Sequence, residues 1–506
     1  MAKESQRVAF GEYLPDLPSS ANPGLTVALN TVTDPIGYSG IHGLSEISGF
    51  SALDSRARGG IAVVDRSGNP YNFAGTETKL YRLADETSDV SRVAGLPYNA
   101  NGQARWEFSA FGDVVIAVNP NDETQYYTTG TSEYFNQLGN ATSVAPRAAQ
   151  IGVVGSFVML GNTFDGVNGQ AENAIHWSAI ADPFNWPELG TSAAVAVQSD
   201  RQVLEGDGGA VQAVTSGSEV GAIFQERAIW RADYSGGDVV FQLNKVDPLR
   251  GALIPGLCIP FGRMVFYLSE DGFYLFDYSA SRAIGRGKVD RSFLSDIDTA
   301  YFDRVSAVAD PDNQRIWILY PGAGNSLGMP NKILIYDWGL DRWSHGELTA
   351  EILCEAAPIG VNLDSPATPS DPEDIDLAGL PSFDSRIVGY GARRLGAYNS
   401  SNRLCDFTGA ALSSTIETGR KELTPGNRCL VSSARPIVES VEPSVQVAGI
   451  GKIVETGVFK NARSMDDTGK ASLRSDGRFH IFRVNLKGGF SSAIGMDIEF
   501  QRSSSR

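Results

Sequence analysis

The amino-acid sequence predicts an all-β protein, a β-propeller of about six or seven blades followed by a C-terminal β-sandwich-like domain. Three observations predict it. Glycine is over-represented, at 55 of 506 residues, without a collagen period. The chain therefore needs many turns with positive φ or close backbone approach, and so many short elements. A short apolar or aromatic strand, a turn of Asp, Asn, Gly or Ser, and a second strand recur roughly every 40–50 residues, the length of a four-stranded blade. That rhythm stops near residue 411, where longer strands begin. A β-sandwich array or a β-helix would satisfy the same pattern less well, and neither a WD pair nor a kelch signature is present.

Taken in order, residues 1–55 are rich in Pro, Gly and Asn with little periodicity (YLPDLPSSANPGLTVALNTVTDPIGYSG) and predict an extended arm and lead-in. Truncating residues 1–40 is accordingly expected to abolish assembly between copies yet leave a folded monomer. Residues 56–410 carry the blade units. IAVVDRSGNPYNFAGTETKLYRL (61–83), FGDVVIAVNPNDETQYYTTG (111–130), VVGSFVMLGNTFDGVNGQAENAIHWSAI (153–180) and VGAIFQERAIWRADYSGGDVVFQL (220–243) are the plainer ones. The clearest is RMVFYLSEDGFYLFDY (263–278), where Met264–Leu268 and Phe273–Phe276 are strands around a turn over Ser269–Gly272. The next, from Val305 to Trp343, turns at Asp310–Asn313 and again at Gly339–Asp341. The last unit is interrupted by a Pro- and Asp-rich insertion over 362–385, expected to be a surface loop. Residues 411–506, with RCLVSSARPIVES, SVQVAGIG and GRFHIFRVNLKGG, read as the separate C-terminal β domain.

Composition excludes several classes. Hydrophobic residues make up 42% and charged residues 20%, which is globular rather than disordered. No run approaches the roughly 18 apolar residues of a membrane helix. The start, MAKESQRVAF, lacks the apolar core of a secretory signal, so synthesis in a reducing cytoplasm is expected. The four cysteines, Cys258, Cys354, Cys405 and Cys429, are far apart and form no CxxC, which predicts four free thiols. Net charge is −17, unevenly spread: residues 411–506 hold 14 Lys and Arg against 10 Asp and Glu, leaving −21 on the rest. An acidic body is unsuited to gripping nucleic acid, because phosphate binding draws its free energy from Lys and Arg displacing counterions.

No catalytic constellation emerges. The four histidines, His42, His176, His345 and His480, have no metal-ligand spacing, and His176 and His345 lie beside Trp177 and Trp343 in strands, which predicts packed side chains. No nucleophile elbow, P-loop or dinucleotide fingerprint is present. The acidic loop Asp371-Pro372-Glu373-Asp374-Ile375-Asp376 has oxygen ligands enough for calcium but neither the EF-hand spacing nor its glycine, and reads as solvated. The turn LSEDGFYLF is near the Asp-box of sialidases but lacks the residue between aspartate and glycine, since Asp271 and Gly272 are adjacent. Aromatics such as Trp230, Phe266, Tyr274 and Trp343 fit inter-blade packing. No catalytic, cofactor or metal residue is therefore nominated.

Two regions carry a resemblance. The stretch GAIFQERAIWRADYSGG…GALIPGLCIPFGRMVFYLSEDGFYLFDYS…RVSAVADPDNQRIWILYP…KILIYDWGLDRWS (221–344) is similar in order to propeller-type virion proteins of short-tailed bacteriophages. These are the tail hub, or packaged-DNA stabilisation, proteins and the related tail nozzles. TIETGRKELTPGNRCLVSSARPIVE (415–439) and the ending SDGRFHIFRVNLKGGFSSAIGMDIEF resemble the closing domain of that group, and NPGLTVALNTVTDPIGYSG (22–40) its lead-in arm. The resemblance covers about half the chain, and its motifs are packing patterns rather than chemistry. It implies a structural virion protein without catalytic residues or cofactors, assembled in the host cytoplasm as a homo-oligomer, with sixfold symmetry the family expectation. Implied partners are the portal and its head-to-tail adaptor, tail fibres or tailspikes, and passing genomic DNA bound without sequence specificity. A receptor-binding or fibre-attachment protein and a propeller-type glycosidase are the alternatives. Candidate channel or contact loops are the turn at Glu270 and Asp271 and the insertion residues Asp371, Glu373, Asp374 and Asp376.

Overall fold

The computed structural model describes residues 3–84, 86–92, 96–167, 169–237, 239–357, 393–440 and 442–503. Its strands form seven four-stranded antiparallel blades and a sandwich. Blades 1 to 6 occupy residues 59–89, 107–137, 147–203, 211–247, 259–283 and 306–347. Each is a meander from the axis outward, as the repeated strand–turn–strand pattern requires. Blade 7 consists of Ile352–Ala356, Arg394–Tyr398 and Leu404–Asp406, and its fourth strand comes from the start of the chain.

The lead-in supplies five strands: β1 (Glu4–Ala9), β2 (Leu25–Leu29), β3 (Thr31–Thr33), β4 (Tyr38–Gly40) and β5 (Ser45–Glu46). It is thus not an extended arm. β5 pairs antiparallel with blade 7, Cys405 opposite Glu46, and so covers that blade's outer edge. An uncovered edge would present a row of free backbone donors and acceptors. β1 to β4 join the C-terminal strands. One sheet of the sandwich runs β3, β4, Phe490–Arg502, Cys429–Ser440, Ala471–Gly477, with β1 also on Phe490–Arg502. The other runs β2, Ser414–Thr418, Phe479–Leu486, Ser444–Ile450, Arg463–Ser464. β2 also pairs in parallel with blade 6 at Leu29 and His345, so one nine-stranded sheet crosses from propeller to sandwich.

The cores explain the sequence patterns. Sandwich strands alternate: Ala471–Gly477 buries every second residue, as a sheet with one solvated face does. Blade strands do not. Gly272–Phe276, GFYLF, is buried at every position because each blade face meets a neighbouring blade. Seven apolar clusters follow the ring, one at each blade-to-blade contact. The cluster holding Ala74, Tyr81, Leu83, Ile352, Cys354 and Tyr398 joins blade 7 to blade 1 and closes the circle. That between blades 5 and 6 continues into the sandwich through Trp343, Ile416, Phe482 and Ile498. Propeller and sandwich therefore share a core. The four cysteines are free thiols.

Candidate functional site

The innermost strands of the blades converge on the axis, and the links that enter them bring side chains to one mouth. Five of the seven inner strands or their entry links enclose a cavity of about 280 Å³, lined by Arg105, Glu107, Gly256, Cys258, Ser306 and Cys354 among others. Arg105 forms part of its wall. Its guanidinium donates to the carbonyls of Val305 and Asp303 (3.5 Å to the latter) and lies 3.5 Å from the Glu107 carboxylate. Arg56 meets the Asp303 carboxylate at 3.5 Å, and Arg304 and Glu351 stand beside it.

Burial sets the electrostatics of this mouth. It pushes the Glu107 carboxyl up, opposed by Arg105, and the Glu351 carboxyl up, opposed by Arg56 and Arg304. It also pulls Arg56 down to about 10, helped by the like charges of Arg304 and Arg58. The Cys258 thiol is raised by burial, which keeps it from acting as a thiolate. Arg56, Arg58, Arg105 and Arg304 thus stand among the carboxyl groups of Glu107, Asp303 and Glu351 at this mouth, with Arg58 paired to Glu77 at 2.9 Å. Among the described residues no group of three His, Cys, Asp or Glu is disposed to hold a metal ion.

Sequence reasoning missed this mouth, although a signal existed. Arg56 and Arg58, Arg105 and Arg304 all stand just before the inner strand of their blade, where a charge abuts an apolar run.

The nominated loop residues lie elsewhere. Glu270 and Asp271 form the two-residue turn between Met264–Ser269 and Gly272–Phe276 of blade 5, both exposed. Asp271 accepts from the Tyr274 hydroxyl at 2.7 Å and lies 3.6 Å from Arg250, in the link that enters the same blade. Its carboxylate is engaged in bracing this link. Asp371, Glu373, Asp374 and Asp376 lie outside the described residues, as does the 362–385 insertion. The histidines behave as packed side chains. His176 is buried edge-on against Trp186 (5.3 Å between ring centroids), and His345 stacks on Tyr13 (4.7 Å).

No family model matches this chain, and no curated protein matches it either. Among solved structures it is similar to the CNH domain of AfRom2, at 8% identity over 61% of this chain and 90% of that one, with a TM-score of 0.36. It is also similar to Kluyveromyces lactis Hsv2 with a complete loop 6CD, at 10% identity over 56% of this chain and 82% of that one, TM-score 0.30. At these values the likeness carries no argument about function, and the propeller assignment rests on the strand ladders themselves.

Proposed function

We propose that this chain is a structural virion protein of a short phage tail. It acts as one copy of an oligomeric hub or nozzle below the portal and adaptor, retaining packaged DNA and conducting it on ejection. One observation carries this reading. The lead-in and the C-terminal stretch, which separately resemble the arm and closing domain of that family, are hydrogen-bonded to one another, Leu25–Leu29 against Ser414–Thr418, and onto blade 6. A propeller welded in this way to a sandwich is a rigid building unit, which suits a tube wall under pressure. The acidic body suits the same role, because each phosphate contact with Lys or Arg would add friction to passing DNA. Portal adaptor and tail fibre or tailspike proteins are the expected neighbours, and no cofactor is needed.

The test is particle assembly without this chain. Particles should package their genome and then lose it, and the wild-type chain should restore retention. Full retention in its absence would overturn the role.

One feature favours a different class. Glu107 is a carboxyl raised by burial beside the axial cavity, the direction in which a glycosidase acid is tuned. Against it, 280 Å³ is below the roughly 300–1,000 Å³ of ligand sites, and Arg105 lies 3.5 Å from the Glu107 carboxylate. Glycoside turnover that Glu107→Gln abolishes would replace the structural reading.

A further inference from the structure

Two surface features of this chain match each other. The first is a groove of about 700 Å³ between blades 2 and 3, opposite blade 6 across the sevenfold ring. Its walls carry Glu123, Asp165 and Glu188 with the exposed apolar side chains Val144 and Val167, the latter 88% exposed. One guanidinium, that of Arg147, lies over the Phe164 ring, 4.0 Å from its centroid. Glu123 already takes Arg92 at 3.1 Å, while Glu188 has no ion pair among the described residues. At its base, both ring nitrogens of buried His176 lack a hydrogen-bond partner. The surrounding stretch, residues 165–247, holds 12 acidic and four basic residues.

The second feature is a cleft of about 780 Å³ on the sandwich, floored by Val447 and Leu473. Lys460, Arg463, Lys470 and Arg474 line it against a single acid, Asp466. Lys470 is paired with Glu499, whereas Arg463 and Arg474 have no ion pair among the described residues. The loop 451–462, which supplies Lys460 to this cleft, exposes Ile453, Val454 and Val458, with Val454 at 86%. Clustered exposed apolar residues rimmed by charge mark a contact surface.

We propose that the cleft and its apolar loop dock in the groove between blades 2 and 3 of a second copy of this chain. Acid-rimmed apolar surface meets base-rimmed apolar surface. The sandwich hangs on blade 6, and blades 2 and 3 are the two blades furthest from it around the ring. The two surfaces are different parts of one molecule, so the contact is heterologous and head to tail. Repeated, such a contact builds a ring where the rotation between copies closes and a filament where it does not, and sedimentation distinguishes the two. The inference draws on the function proposed above only for the expectation that several copies meet.

Charge reversal tests it. One variant carries Glu123→Lys with Glu188→Lys, the other Arg463→Glu with Arg474→Glu, all at exposed or half-exposed positions. Sedimentation of the wild-type chain at low salt should detect oligomers. Each variant alone should stay folded by circular dichroism yet require a concentration about tenfold or more higher to assemble. A mixture of the two should assemble again, because each presents the sign that the other's altered surface needs. Assembly of both variants at wild-type concentrations overturns the contact, as does a wild-type chain that remains monomeric. Loss of duplex DNA binding by the Arg463/Arg474 variant, with assembly unchanged, would assign the cleft to DNA and also overturn it. The tail role stands or falls separately, on DNA retention in particles.

Discussion

Asp290 shows how much one side chain can hold in this fold. It is buried, and Gly272 and Gly285 leave room for it: a Cβ on either would come within 2.2 or 1.9 Å of its carboxylate. Gly272 also adopts φ of +138°, a region that other residues enter only under strain. Burial pushes the Asp290 carboxyl from 3.8 up to about 6. The hydrogen bond from the Phe273 amide (3.1 Å) opposes the shift, and Asp16 and Asp271 add to it. The folded chain thus holds this proton more tightly than the unfolded one, so stability falls as pH rises from about 3.8 to about 6. Asp290→Asn keeps the acceptor and removes the charge. It should be more stable than the parent at pH 7 by up to about 3 kcal/mol and equal to it below pH ~4. Urea unfolding at both pH values measures this, and an unchanged difference would show that ionisation at Asp290 has no cost. His176 and His480 run the other way. Burial lowers each to about 4, so each stays neutral when folded, and stability is lost as pH falls from about 6.5 towards 4. The melting temperatures of His176→Gln and His480→Gln should therefore decline less than the parent's across that window.

At the scale of elements, the lead-in does the tying. Asp16 caps a helix 275 residues away, accepting from the amides of Arg291 (2.9 Å) and Ser292 (2.8 Å) and from the Ser292 hydroxyl (2.7 Å). The capped helix, Asp290–Asp296, starts without a cap of its own, since the Val289 side chain has no hydrogen-bond acceptor. Asp16→Ala should cost about 0.5–2 kcal/mol in chemical denaturation. Removing residues 1–40 should do far more. It deletes β1 to β4, strips both sandwich sheets of pairing partners, and frees the edge of Arg342–Glu347 in blade 6. Limited proteolysis of the truncated chain should digest the sandwich from Ser414 onward. A resistant, cooperatively melting product would return the lead-in to the status of a detachable arm.

At the scale of the molecule, the charge pattern sets contact with nucleic acid. Net charge is −21 outside the last 96 residues, which opposes the counterion release that phosphate binding draws on. Purified chain should not retard duplex DNA in a gel at about 0.15 M salt. Retardation that fades with a steep salt slope would place phosphate contacts on it and contradict a non-adhesive wall.

Much of this was legible in the sequence, because its causes are local. Turn residues spaced by short apolar runs determine strands, and aromatic runs such as Phe273–Phe276, without a polar alternate, determine that both faces are covered. Meandering blades follow, as does the shift to alternating strands after residue 411. The count of seven, the fourth strand of blade 7 and the fate of the lead-in were not legible. Leu25 meets Thr418, Glu46 meets Cys405 and Val8 meets Met496 across several hundred residues. Backbone hydrogen bonds carry no residue code, so a short strand such as Ser45–Glu46 reads as loop until its partner edge exists. The repeated strands were thus the sequence's own doing, whereas tertiary pairing alone closed them into a ring and bound both chain ends into one domain.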